Sequence, residues 1–88
     1  MRITIRYFAA HRDIIGRSEE QLDLAPGATV GSVWELLVAR YSRMAGYTGR
    51  LLYAVNQDFA TPATELRDGD EVAFIPPVSG GTQLRIDD

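Results

Sequence analysis

The chain contains no cysteine. Disulfides, a thiol nucleophile and thiolate metal ligation are therefore excluded, and any sulfur this protein handles must ride on some other group. Lysine is absent as well: the nine basic residues are all arginines, at positions 2, 6, 12, 17, 40, 43, 50, 67 and 85. We read that bias as nucleotide composition of the host genome. Its chemical consequence is that the N-terminus is the one amine open to acylation. No stretch approaches the ~18 consecutive apolar residues of a membrane span, so no membrane association is expected. "MRITIRYF" alternates where a signal peptide would have a continuous apolar core, so a leader is not expected either. Neither a P-loop nor G-x-G-x-x-G nor a metal-spaced histidine cluster is present, and no bound metal is expected. The formal charge of −3 and a pI near 5.0 argue against a nucleic-acid partner, which requires a basic surface.

What is present describes one small globular domain. The chain has 88 residues, 45% hydrophobic and 24% charged, too few for a second core. "RITIRYF" places Ile3, Ile5 and Tyr7 opposite Arg2, Thr4 and Arg6, the period-2 pattern of a half-buried strand. "AAHRDIIG" reads as a short helix or turn ending at Gly16, and "EEQLDLA" as a second strand with Leu22 and Leu24 on one face. Pro26-Gly27 turns the chain. Thr29 is a fair N-cap for a helix over about 30–41. Val30, Val33, Trp34, Leu37, Val38 and Tyr41 form its single apolar stripe, which asks for one sheet to pack on. Gly46 and Gly49 bracket a loop, and "LLYAVN" reads as a buried strand. "QDFATPATELRDGD" is a connection with a short turn or strand around Glu65 and Leu66. Asp68-Gly69 signals a tight turn. "EVAFI" is the last strand, with Val72 and Phe74 facing away from Ala73 and Ile75, and Pro76-Pro77 stops it.

Two strands, a helix, a strand, a short piece and a final strand make the layout of an α+β, β-grasp (ubiquitin-like) fold. A mixed sheet of four to five strands would pack on one main helix. The first and last strands would pair in parallel at its centre, joined by the helical crossover that parallel pairing needs.

Within that layout, "RYFAAHRDIIG", "AVNQ" and "LRDGDEVAFIPPVSGG" resemble the small subunit of molybdopterin synthase, in length and order, over residues 1–81. The resemblance implies a sulfur carrier bearing a thiocarboxylate on Gly81. An ATP-using, ubiquitin-activating-like enzyme would adenylate that carboxylate, and a sulfur donor would displace AMP. ATP belongs to that partner, and no cofactor is expected on the chain itself. The tail would then enter the large subunit, in a two-plus-two heterotetramer, and give sulfur to a cyclic pyranopterin. No stand-alone activity is expected, and the setting implied is cytoplasmic. By the family pattern Phe8, Phe59 and Ile75 form an exposed docking patch beside the tail, continued by Pro76, Pro77, Val78 and Ser79. Two alternatives are a thiocarboxylate carrier for thiamine thiazole or cysteine, and a β-grasp interaction module whose Gly-Gly is only a loop.

The tail chemistry suits that role. Pro76-Pro77 favours an extended course without needing ladder hydrogen bonds. From Pro76 to Gly81 the chain spans about 20 Å when extended, enough to reach a buried pocket. Gly80 and Gly81 let a narrow channel close on the backbone and a nucleophile approach the carbonyl. Other candidates are weaker. The one histidine, His11, is expected in a loop, solvated, and not as a base. Asp68, Asp70 and Glu71 beside Gly69 are turn formers; Glu19-Glu20 and Asp87-Asp88 are exposed pairs, and Trp34 is core.

"TQLRIDD", residues 82–88, departs from the family pattern, because an amide at Gly81 cannot be adenylated. It is a segment to be removed by a protease, the start of a fused large-subunit domain, or a non-native addition unlike a purification tag. In each case Gly81 is the working end, and the 88-residue form is expected to be inactive until that end is exposed.

Overall fold

Alternation along the first seven residues becomes a strand because one of its faces has a core to enter. In the computed structural model, which describes residues 1–77, β1 spans Arg2–Tyr7. Ile3, Ile5 and Tyr7 are each at most 1% exposed. The chain leaves β1 through extended Phe8 and Ala9 (φ 48°) into a short helix α1, Ala9–Ile15. Gly16 closes α1 in the left-handed region (φ 87°), where a side chain would be strained. β2, Glu19–Asp23, returns antiparallel to β1.

The main helix α2 spans Val30–Arg40. Its start is fixed by a reciprocal pair: Ser32 N–H donates to Thr29 Oγ1 while Thr29 N–H donates to Ser32 Oγ. Val30, Val33, Trp34 and Leu37 are buried at spacings of three and four, with Val38 and Tyr41 partly buried beside them. Gly31 meets the later loop so closely that a Cβ there would lie 3.0 Å from the Pro62 carbonyl oxygen. A 3-10 helix, Ser42–Tyr47, runs into the loop expected between Gly46 and Gly49 and plugs the core with Met44.

β3, Leu52–Val55, and β4, Asp58–Ala60, form a hairpin, and β5 is Glu71–Ile75. Asn56 and Gln57 make the two-residue hairpin turn, both at positive φ (51° and 72°). β4 was not expected from the sequence. The piece around Glu65 and Leu66 makes only an isolated bridge, Thr29 to Glu65, while Leu66 enters the core at 5% exposure. The sheet order is β2-β1-β5-β3-β4, with β1 and β5 parallel at the centre as expected of a β-grasp.

Turn chemistry locks the ends of these strands. Asp68 Oδ1 accepts from Arg2 N–H, and Asp70 accepts from Arg67 N–H and from the Asn56 amide. Gly69 sits at φ 88° and donates its N–H to the Arg2 carbonyl. Asp68 and Asp70 are turn formers, as the sequence suggests; Glu71, grouped with them there, instead opens β5 and accepts from Arg6 at 3.3 Å. Glu19 and Glu20 are not an exposed pair: the Glu20 side chain is only 9% exposed. The Tyr7 hydroxyl donates to it at 2.5 Å, and Arg17 and Arg40 approach at 3.8 and 3.6 Å. Burial, and then this bond to Glu20, push the Tyr7 hydroxyl far above the ordinary tyrosine range.

Candidate functional site

Residues directly opposite one another on paired strands share a face of the sheet, so the register sorts side chains into two sets. The inward row Tyr7, Phe74, Tyr53 runs from β1 through β5 to β3. Phe74 is fully buried, against Trp34 (5.3 Å between ring centres) and Tyr53 (6.0 Å). The neighbouring outward row is Arg6, Ala73, Ala54, Phe59, across β1, β5, β3 and β4.

That outward row builds a concavity. Ala54 and Ala73 give it a shallow floor, because a methyl group is all that rises from the sheet there. Phe59, Phe8 and Ile75 rise around it, and Gln57 and Glu71 complete the lining. Phe59 is 81% exposed and Phe8 37%, while Ile75 is half-buried. All three residues predicted as a docking patch are thus brought together on one face. Large apolar side chains held in water around a depression are poised to be covered by a partner.

Arg6 marks the charged side of the depression. Its guanidinium donates to Glu71 at 3.3 Å, lies 3.9 Å from Glu19, and stands 5.9 Å from the centre of the Phe8 ring. Towards β2 the outward face therefore turns from apolar to ionic, giving the patch a polar rim. Leu52 extends the apolar side. It is 54% exposed and sits directly opposite Ile75, so "LLYAVN" is not a wholly buried strand. Sequence reasoning missed Leu52, Arg6, Gln57 and Glu71. The signal for Leu52 was cross-strand: once Ile75 faces outward, its partner must too.

β5 carries the chain directly from this patch to Pro76 and Pro77. Pro76 is buried and Pro77 exposed, so of the two only Pro77 is open to a partner on this face. Val78, Ser79, Gly80 and Gly81, and the extension 82–88, lie outside the described residues. Among the described residues no group of histidine, aspartate and glutamate gathers to hold a metal, and no helix is long and apolar enough to cross a membrane.

His11 is not a solvated loop residue. It lies on α1 with 0% exposure, its ring edge-on to Tyr47 at 4.8 Å and tilted against Trp34 at 5.7 Å. The spacing His11, Ile14, Ile15 shows why. The histidine occupies the first position of a helical stripe whose two isoleucines pack on the core.

Known proteins resemble this chain in architecture and in sequence. The model of the ThiS family matches residues 5–81, a span that includes every residue of the patch and ends on Gly81. The molybdopterin synthase sulfur carrier subunit of Mycobacterium tuberculosis is 38% identical, over 92% of this chain and 99% of that protein. Its counterpart from Chlamydomonas reinhardtii is 35% identical, over 92% of this chain and 100% of that protein. The solution structure of the Haloferax volcanii HVO 2177 protein superposes with a TM-score of 0.81 at 33% identity, covering 92% of this chain and 87% of that one. Matched along nearly its whole length, the chain belongs to the ThiS family and stands within it among the molybdopterin synthase sulfur carrier subunits.

Proposed function

We propose that this protein carries sulfur into molybdopterin as a thiocarboxylate on Gly81. The observation that carries the proposal is the apolar depression of Phe8, Phe59 and Ile75 on the outward face, with β5 leading straight from it towards the Gly-Gly sequence. A carrier needs a docking surface and a reactive end close together along the chain, and in the sequence Gly81 follows the last residue of β5 by six positions. The family match ending on Gly81 and the names of the relatives support the same assignment.

The chemistry proceeds in the cytoplasm once Gly81 has a free carboxylate. An adenylating partner of the ubiquitin-activating kind joins that carboxylate to AMP, and ATP releases pyrophosphate. A sulfur nucleophile adds to the activated carbonyl and AMP leaves with the bonding electron pair, so the acyl carbon keeps its oxidation state. The resulting thiocarboxylate enters the large subunit of molybdopterin synthase, in an assembly of two carriers and two large subunits. There its sulfur passes to a cyclic pyranopterin. The chain itself contributes the docking surface and the reacting group; the enclosing pocket belongs to the large subunit.

A reconstitution distinguishes the pathways. Chain ended at Gly81 and loaded as the thiocarboxylate is mixed with cyclic pyranopterin and the synthase large subunit, or with the sulfur-accepting enzymes of thiazole or cysteine formation. Sulfur is expected to leave the carrier, by intact mass, only with the large subunit, and a dithiolene pterin to accumulate. Transfer to one of the other enzymes alone would move the protein to that pathway.

A further inference from the structure

Among the described residues His11 is the one buried polar or charged side chain, and the docking surface does not use it directly. Its Nδ1 lies 3.2 Å from the carbonyl oxygen of Phe74, the residue just before Ile75. Its backbone N–H donates to the carbonyl of Phe8 at 3.0 Å. One residue is therefore bonded to both stretches of chain that carry the docking side chains Phe8 and Ile75. We propose that His11 is a positioning residue whose neutral imidazole ties α1 to the end of β5 and fixes the spacing of Phe8 and Ile75.

The chemistry of the ring supports this assignment. A carbonyl oxygen only accepts, so Nδ1 must carry the proton and Nε2 the lone pair. Nε2 is buried and has no hydrogen-bond partner among the described residues. Leucine would fill the space with no Nε2 to orphan but would take the Nδ1 donor from the Phe74 carbonyl, so what imidazole adds is that bond and its packing on Tyr47 and Trp34. A second proton would have to sit on Nε2, facing no acceptor. Burial lowers the proton affinity of His11, outweighing the Phe74 carbonyl, which raises it. Tyr47, from the 3-10 helix, is the one ionisable side chain in ring contact; Trp34 of α2 and Phe74 of β5 bring no charge. Arg12 and Asp13, on its own helix, are exposed.

The sign of the pH effect follows. The folded chain binds this proton less readily than the unfolded chain, whose histidine titrates near ~6.5. The neutral ring is seated above that value; as pH falls through the lower folded value Nδ1 still donates to Phe74, but the new N–H on Nε2 meets no acceptor and loosens the seat of the ring.

That Phe8 and Ile75 dock a large subunit rests on the proposed function; that His11 sets their spacing does not. The test therefore has two readouts on the full chain: nitrogen and amide NMR shifts of the free protein, and affinity for the large subunit, each followed from pH 7.5 downward for as long as the chain stays folded. At pH 7.5 the His11 ring is expected as the neutral tautomer protonated on Nδ1. As the ring titrates, the Phe8 and Ile75 amide shifts move with it, and affinity falls about tenfold, the scale of one buried N–H left without an acceptor. His11→Asn keeps a donor at about the Nδ1 position and cannot titrate. It is expected to retain affinity at pH 7.5 and to flatten the pH dependence relative to the native chain. His11→Leu fills the space but shifts both amides and weakens docking about tenfold even at pH 7.5. A His11→Leu chain with native Phe8 and Ile75 shifts, or a His11→Asn chain with the native pH profile, overturns the proposal. If no form binds the large subunit, the docking assignment fails and the amide shifts still decide for or against His11. If His11→Leu does not fold, the pH profile of His11→Asn decides.

Discussion

Replacing Phe59 with aspartate is expected to weaken docking on the large subunit at least about a hundredfold, ~2.7 kcal/mol, while thermal unfolding stays within about 0.5 kcal/mol of the native chain. Phe59 is 81% exposed on the edge strand β4, so its removal opens no cavity in the domain. Covering a phenylalanine contributes about 1.5–3 kcal/mol. A carboxylate in the same place would have to lose its water against an apolar partner surface, adding to the loss. Leu36→Asp is the matched control. Leu36 is also exposed, at 36%, but it lies on α2, which packs against the opposite face of the sheet. Titration calorimetry on both variants, with melting curves alongside, checks the pair. Equal losses of docking in the two would mean that the depression is not the docking surface.

The second large effect concerns the same residue type facing the other way. Phe74→Ala is expected to destabilise the domain by about 3–5 kcal/mol, because Phe74 has no exposed surface and its ring fills the space between Trp34 and Tyr53. A small domain has only about 5–15 kcal/mol in total, so part of the population would unfold at physiological temperature. The urea midpoint should fall with little change in slope, which identifies lost stability rather than a different unfolded state. A loss below ~1 kcal/mol would contradict the packing around β5, since a cavity of that size cannot collapse so cheaply. Phe59 and Phe74 thus probe the two faces of the sheet separately: one packs the core, and the other carries the proposed docking depression.

The β-grasp was legible because its strongest signals are local and agree with one another. Ile3, Ile5 and Tyr7 alternate, the α2 stripe keeps its three-and-four spacing, and Asp68-Gly69 marks the turn before the central strand. β4 was not legible. It is three residues long, and its hairpin turn places Gln57 at φ 72°, a conformation glutamine does not announce. Phe8, Phe59 and Ile75 were named through family likeness, and the three line one depression on the outward face. Leu52 was hidden in a continuous apolar run, where periodicity cannot tell a two-sided strand from a half-exposed one. His11 was misplaced because a polar residue was read by its type and not by its position on the stripe with Ile14 and Ile15. Glu20 went wrong for a related reason: two adjacent acids suggest solvent, yet a strand points them to opposite faces, and Glu20 meets the Tyr7 hydroxyl.

The central claim is that sulfur is carried on the carboxylate of Gly81, and intact mass measures it directly. The chain ended at Gly81 and the full 88-residue chain are each incubated with ATP, the adenylating enzyme and a sulfur donor. The account predicts that the shorter form gains the mass difference of one oxygen-to-sulfur exchange and that the full chain, with Gly81 tied up in an amide to Thr82, does not. An unchanged mass for the form ending at Gly81, or a gain by the full chain with Thr82 still attached, would contradict it.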